Sequence, residues 1–428
     1  MTFFISPAAR LRRAIAGMFL CLFAIAAAHA DSPAAPQGPT LALTGGLWFD
    51  GERFVPAAWY AVGGRLTATR PERIDATVDL AGRYVLPPFV EAHNHDMQNA
   101  GFAAVSIGKN LRQGVFYSVQ MCSKPGNDRA FSRLFNTPGT IDILYAEACI
   151  SSSDGHPLGI SLASYRQAGI EPDADEARAR FDPIDSLEDF ERLWPEIAAR
   201  EPALIKVILV NSERQAANRA DPDTFGFRGI DPELLAPIVA RAREAGIRVA
   251  VHVDSAGDFA TAVAAGPDMI VHLPGYRFAR GFGAADYRIA DDVAAEAARR
   301  GIFVITTANV ASFSARQPWA AELRAMQIEN LRLLREVGVP LIIGSDNVMG
   351  TVVDEVLYLD GLQIMPRAEL LRRATIDTAE AMFPGREIGA FREGVEASLI
   401  AFDADPLETP DVLRSPAVRI RQGSLLAN

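Results

Sequence analysis

Lysine is almost missing from this chain. It has three, Lys109, Lys124 and Lys206, against 39 arginines in 428 residues. Cysteine is as scarce, with Cys21, Cys122 and Cys149 only. Three cysteines in a chain this long exclude a small disulfide-stapled scaffold. Histidine occurs six times, and one of these, His29, lies in the first thirty residues. After those thirty residues no apolar run has the length and purity of a bilayer span. Basic charge is in deficit, which argues against nucleic acid or an anionic membrane as partner, since both demand clustered positive charge. No Gly-x-Gly-x-x-Gly opens a helix, so nothing marks a dinucleotide fold.

What is present begins with an address. Arg10, Arg12 and Arg13 precede an apolar run from Ala14 to Ala28, and Ala28–His29–Ala30 has a small-x-small cleavage form. Residues 1–30 therefore read as a signal peptide, and the mature protein as exported, periplasmic or secreted. A membrane anchor is the rival, but the run is short for a span. Removing three arginines leaves 39 basic against 53 acidic groups, a net charge of −14. In an oxidising compartment Cys122 and Cys149 can pair; as residues of apolar strands they can equally be buried thiols.

Residues 31–40 are Pro/Ala-rich and read as a flexible lead-in. Residues 41–83 hold short β-like runs, Leu41–Leu43, Trp59–Val62, Leu66–Thr69 and Thr77–Leu80, with turns at Gly45–Gly46 and Gly63–Gly64. Over residues 84–385, apolar strands alternate with helical patterns. The strands are Val85–His93, Val115–Met121, Ile141–Ile150, Leu204–Val210, Arg248–Val253, Asp268–Leu273, Ile302–Thr306 and Pro340–Ser345. Most are apolar on both faces, as strands covered by helices must be. Helices are clearest after Asp231–Pro232–Glu233, with Pro237 as an objection, and over Ala320–Val337. Eight such repeats predict an α/β fold, a (β/α)8 TIM barrel, with a doubly wound sheet as alternative. Residues 386–428 turn β-like again at Ile388–Phe391, Gly394–Phe402 and Val418–Ile420. The two flanks predict a small β-sandwich built from both chain ends.

The polar residues gather at strand ends. His93 and His95 are two apart at the end of strand 1, where an extended chain points both to one face. Lys206 sits within Leu-Ile-Lys-Val-Ile-Leu-Val of strand 4. His252 ends strand 5, His272 ends strand 6, and Asp346 follows strand 8. In a barrel all C-terminal ends face one mouth, where active sites lie. Singly, each has an ordinary reading: a satisfied core histidine, a cap or turn aspartate, a snorkelling lysine. Jointly they make a metal-ligand set.

As a set these residues resemble the amidohydrolase superfamily, near its imidazolonepropionase- and prolidase-like members. Its pattern of Leu-Pro-Gly, two apolar residues, an acid, any residue and His-x-His stands here as Leu86–Pro87–Pro88–Phe89–Val90–Glu91–Ala92–His93–Asn94–His95. The strand-4 lysine, strand-5 and strand-6 histidines and strand-8 aspartate follow in order, and the likeness runs from Leu41 to Leu407. Pro88 replaces the usual Gly, and Val395 and Ser398 replace a Lys and an Asp of the closing strand; neither change touches a ligand.

The resemblance implies a divalent metal, zinc by default, one or two per chain. His93, His95 and Asp346 would hold one ion and His252 and His272 the other, bridged by a carboxylated Lys206. It implies a hydrolase that cleaves a C–N bond of a small-molecule substrate, amide, peptide or cyclic amide, with water activated between the cations and Asp346 as general acid/base. His156, after strand 3, either hydrogen-bonds the substrate carbonyl or is a turn residue. Tyr276, Arg277 and Arg280 either receive a substrate carboxylate or are exposed loop groups. A one-metal deaminase or ring-opening hydrolase using His93, His95, His252 and Asp346 is the alternative, and a non-catalytic scaffold a remote one. Barrels of this kind often pair, so a homo-oligomer is compatible with the sequence.

Overall fold

The computed structural model describes residues 38–427, apart from 99, 127–131, 138, 168, 172, 174–176, 276–278 and 280. The signal-peptide reading of residues 1–30 and most of the lead-in therefore lie outside the described residues, as do Tyr276, Arg277 and Arg280.

Strands from both flanks meet in one mixed sheet of eight. Leu41–Phe49, Phe54–Val62, Arg65–Thr67, Ala76–Asp79 and Tyr84–Leu86 come from one flank, and Leu399–Phe402, Val418–Arg421 and Ser424–Leu425 from the other. The join is antiparallel, with Ile400 opposite Leu86 and Ala401 opposite Val85. Leu41, Leu43, Trp48, Ala61, Val85, Leu399 and Ile420 form its buried core. Gly45–Gly46, expected as a turn, instead form a bulge within Leu41–Phe49, where the register shifts between Leu43 and Gly46. Gly45 has φ +80°, and a Cβ there would lie 3.0 Å from the Ala81 backbone, so the bulge requires glycine. Ile388–Phe391 forms no strand, and the expected Gly394–Phe402 strand shrinks to Leu399–Phe402.

The central strands are parallel. Strand 1 is Phe89–Asn94, strand 2 Val115–Gln120, and strand 3 comes in two pieces, Asp142–Tyr145 and Cys149–Ser151. Strands 4 to 8 are Leu204–Ile208, Arg248–His252, Met269–Val271, Phe303–Ile305 and Leu341–Ile342. Strands 1, 2 and the first piece of strand 3 form a three-stranded sheet. The second piece of strand 3 continues through strands 4 to 8 in sequence order, with Asp182–Pro183 added at its edge. Between the two sheets, Ala92 N–H donates to Ile343 O (3.1 Å) and Asp346 N–H to His93 O (2.8 Å). The arrangement is TIM-barrel-like. Strands 1, 2 and 4 are buried at every position, which explains their continuous apolar runs.

Helices pack outside. Asp231 caps a 3₁₀ turn, Pro232–Leu234, that runs into helix Leu235–Glu244. Pro237 falls in that helix's first turn, where no intrahelical N–H is needed, so it costs nothing there. Helix Ala320–Glu336 buries Leu323, Leu331 and Leu334 as its spacing predicts. Cys122 and Cys149 are joined in a disulfide, Cα atoms 4.7 Å apart. No described helix is long and apolar enough to cross a membrane.

Candidate metal centre

Strand 1 ends with His93 and His95 on one face. Their Nε2 atoms lie 3.1 Å apart. Asp346 reaches the same point from the end of strand 8, its Oδ1 3.5 Å from His93 Nε2 and 3.3 Å from His95 Nε2. Two nitrogens bound at about 2.0–2.1 Å to a tetrahedral ion would be separated by roughly 3.3 Å, so the spacing fits a cation. Among the described residues these three are the group whose ligand atoms all lie within 4.8 Å of one another. His93 Nδ1 is buried without a hydrogen-bond partner among the described residues.

The other sequence-predicted ligands arrive at the same mouth. His272 packs against His93 (ring centroids 4.9 Å) and its Nδ1 is 3.9 Å from Asp346 Oδ2. His252 packs edge-on against His272 at 4.5 Å. His156 stacks on His252 at 5.3 Å with 25° between planes. All five histidines beyond residue 30 thus form one chain of touching rings. Lys206 is buried, and its charge is felt by His93, His272 and Asp346. Tyr276 and Arg277 lie outside the described residues.

Electrostatics favour metal-ready forms. Burial lowers the Lys206 amine to about 7, with Asp346 opposing the shift. Burial, aided by Lys206, lowers His93 to about 3, and burial, aided by the His252 and His93 rings, takes His272 well below its ordinary value, leaving neutral imidazoles. For Asp346, burial acts upward, but the His93 and His95 rings outweigh it and hold the carboxyl well below its usual range. Neutral imidazoles with an ionised carboxylate are the forms a divalent cation binds.

Several supporting groups were not legible as such in the sequence. Glu91 is buried and accepts from His93 N–H (3.1 Å), Ser345 N–H (2.7 Å) and Ser345 Oγ (2.6 Å). It ties the strand-1 ligands to the strand carrying Asp346. Burial raises it to about 8, against the pull of those donors. Glu355, buried in helix Val352–Leu362, accepts from Thr306 Oγ1, Ala308 N–H and both nitrogens of Asn309. It fixes the turn after strand 7, where Thr307 Oγ1 lies 2.7 Å from His272 Nδ1. Asp254 Oδ1 meets His252 Nε2 at 3.0 Å. A charged residue inside an apolar run, as with Glu91 and Glu355, is the signal that could have found two of these. Backbone strain gathers here too: Cys122, Asn211, His272, Thr307 and Asp346 all have positive φ.

The residues present fit a divalent ion by spacing and by protonation. Residues 186–423, more than half of the chain, match the amidohydrolase family. The chain belongs to the amidohydrolase family, and as such is a hydrolase acting on carbon–nitrogen bonds. A Xaa-Pro dipeptidase with bound methionine superposes with a TM-score of 0.71 at 17% identity, covering 91% of this chain and 100% of that one. A putative prolidase from Bifidobacterium longum gives 0.69 at 17%, covering 92% and 96%. The ochratoxinase of A. niger gives 0.68 at 19%, covering 91% and 96%. No curated protein matches the chain.

Proposed function

We propose that this is an exported, metal-dependent amidohydrolase that cleaves an amide or peptide bond of a small molecule, a dipeptide or related N-acyl compound. The observation that carries the reading is the meeting of His93 Nε2, His95 Nε2 and Asp346 Oδ1 within 3.1–3.5 Å, beside buried Lys206. We assign residues 84–385 to a closed (β/α)8 barrel, which the two backbone bonds between strand 1 and residues 343–346 support. Residues 41–83 and 386–428 form its companion β domain, supported by their shared sheet. The Cys122–Cys149 disulfide supports export, because such bonds persist in oxidising compartments.

His93, His95 and Asp346 would hold one ion, most simply zinc. His252 and His272, with Lys206 carboxylated as the bridge, would hold a second. Bound there, divalent metal supplies an acidic water and polarises the scissile carbonyl. Asp346 then takes the proton of the attacking water and delivers it to the leaving nitrogen. His156, stacked on His252, would donate to the substrate carbonyl oxygen. Tyr276 and Arg277 are the proposed receivers of a substrate carboxylate. The solved dipeptidase and prolidases of like fold support a peptide-type substrate.

One observation favours a one-metal variant of this reading: His252 and His272 are not part of the tight ligand group, and His252 Nε2 is engaged by Asp254. Metal content per chain separates the two. Screening Xaa-Pro dipeptides, N-acyl amino acids, lactams and lactones tests the substrate class, and activity on lactones alone would overturn the C–N assignment. Asp346→Asn is expected to retain metal while lowering kcat by about 10³-fold. Near-wild-type turnover in that variant removes Asp346 from the proton-transfer role.

A further inference from the structure

The disulfide is built into the metal site. Cys149 lies opposite Lys206 in the pairing of strands 3 and 4, so the two share one face of the sheet. It is fully buried against Ile208, Val210, Leu158 and Phe181. Its partner Cys122 follows strand 2 with φ +60°, a left-handed backbone that cysteine does not adopt readily. One hydrogen of Gln98 Nε2 is shared between the carbonyls of Met121 (2.6 Å) and Cys122, which leaves the other for His95. That same nitrogen lies 2.5 Å from His95 Nδ1. His95 therefore faces the cation position with Nε2, while its other nitrogen rests on a side chain anchored to the backbone of a half-cystine.

We propose that the Cys122–Cys149 disulfide positions His95 through Gln98, so that metal retention depends on the oxidation state of this pair. The inference rests on the metal-site reading above. Reduction by a dithiol breaks the S–S bond and forms two thiols, the two electrons and two protons coming from the dithiol, which itself becomes a disulfide. Freed from Cys149, the residue-122 backbone relaxes out of its left-handed conformation. Its carbonyl then leaves Gln98, and the Nδ1 side of His95 loses its support. Outer contacts of this kind change metal affinity by roughly 10–100-fold. A protein with this linkage keeps its ion in an oxidising compartment and gives it up in a reducing one.

The test measures zinc transfer from the folded, full-length protein to a chromophoric chelator. Three samples are compared: the oxidised protein, the same protein after reduction by a non-chelating phosphine, and Cys122→Ser/Cys149→Ser. Circular dichroism confirms that each is folded. Transfer at least tenfold faster from the reduced and double-variant proteins is expected. Gln98→Ala, with the disulfide intact, should release zinc comparably fast, and combining it with the double variant should add little. Equal transfer rates in oxidised and reduced protein overturn the proposal. So does fast release on reduction with unchanged release in Gln98→Ala, which would make the disulfide a general staple. Oxidised wild type that takes up no zinc overturns the metal-site reading itself, and this inference with it.

Discussion

At the level of single residues, the site depends on how closely two strands approach. Gly344 sits between Ile343 and Ser345, and a Cβ there would lie 2.8 Å from both His93 N and Ile305 Cγ2. No flexible side-chain tip is available to yield on the His93 side, because the contact is backbone. Gly344→Ala is therefore expected to push the segment carrying Asp346 away from His93. The cost is about 1–3 kcal/mol of stability, as for other overpacked interiors, together with weakened metal binding. Chemical denaturation and a metal-binding titration check it, and an unchanged titration would show that the strands separate without disturbing the ligands. The strained backbones of His272 and Asp346 fit the same picture: both residues hold conformations that only the surrounding bonds, such as those of Thr307 and of Ser345 with Glu91, make tenable.

At the level of elements, helix Ala320–Glu336 and helix Arg367–Arg372 are joined by Glu369, whose carboxylate takes Arg335 Nη2 at 2.7 Å and Arg373 Nη2 at 2.8 Å. Partial burial would raise Glu369, but the two guanidinium groups outweigh it and lower the folded-state pKa. The stabilisation is thus fully present above the unfolded value, near 4.5, and is lost as pH falls through the depressed folded value. Glu369→Gln should cost about 1 kcal/mol at neutral pH, with the difference from wild type shrinking steadily in acid. Denaturant unfolding followed across that range measures it. Elements were also the scale at which the sequence was most and least readable. Apolar runs flanked by turns announced strands 1 to 8, placed His93, His95, His252, His272 and Asp346 at or just past their ends, and set Lys206 inside strand 4. The run Val85–His93 looked like one strand, yet Pro87 and Pro88 carry no N–H for a ladder, so it divides. Its first piece pairs in the flanking sheet and its second in the central one. Strand 3 breaks around Glu147, whose φ of +53° no propensity scale anticipates. Glu91, Glu355 and Gln98 escaped notice as supports because their partners lie far off in sequence, and only the fold brings donor to acceptor.

At the level of the molecule, the flanking sheet is bound to the central strands by charge as well as by packing. Arg421, from strand Val418–Arg421, is fully buried and bonded to Asp142 of strand 3 and to Thr137 O. Arg386 bridges Asp142 (2.6 Å) and Glu396 (3.0 Å), and Tyr117 of strand 2 donates to Glu396 (2.6 Å). Arg421→Met removes one partner of a buried pair and leaves Asp142 to Arg386 alone. A loss of about 3 kcal/mol is expected, read as a lowered urea midpoint. Metal stoichiometry should be unaffected, because His93, His95 and Asp346 lie at the other end of the central strands. Loss of bound metal at temperatures where the variant is folded would show that the two regions are coupled.

The antiparallel join of Ile400 to Leu86 has a consequence for synthesis. A ribosome emits Tyr84–Leu86 long before Leu399–Phe402, so the earlier strand must wait, one edge unpaired, while the whole central region is made. Completing this enzyme is a matter of the tail returning to the head, and a chain stalled short of residue 399 would carry His93 and His95 beside an unfinished, adhesive edge.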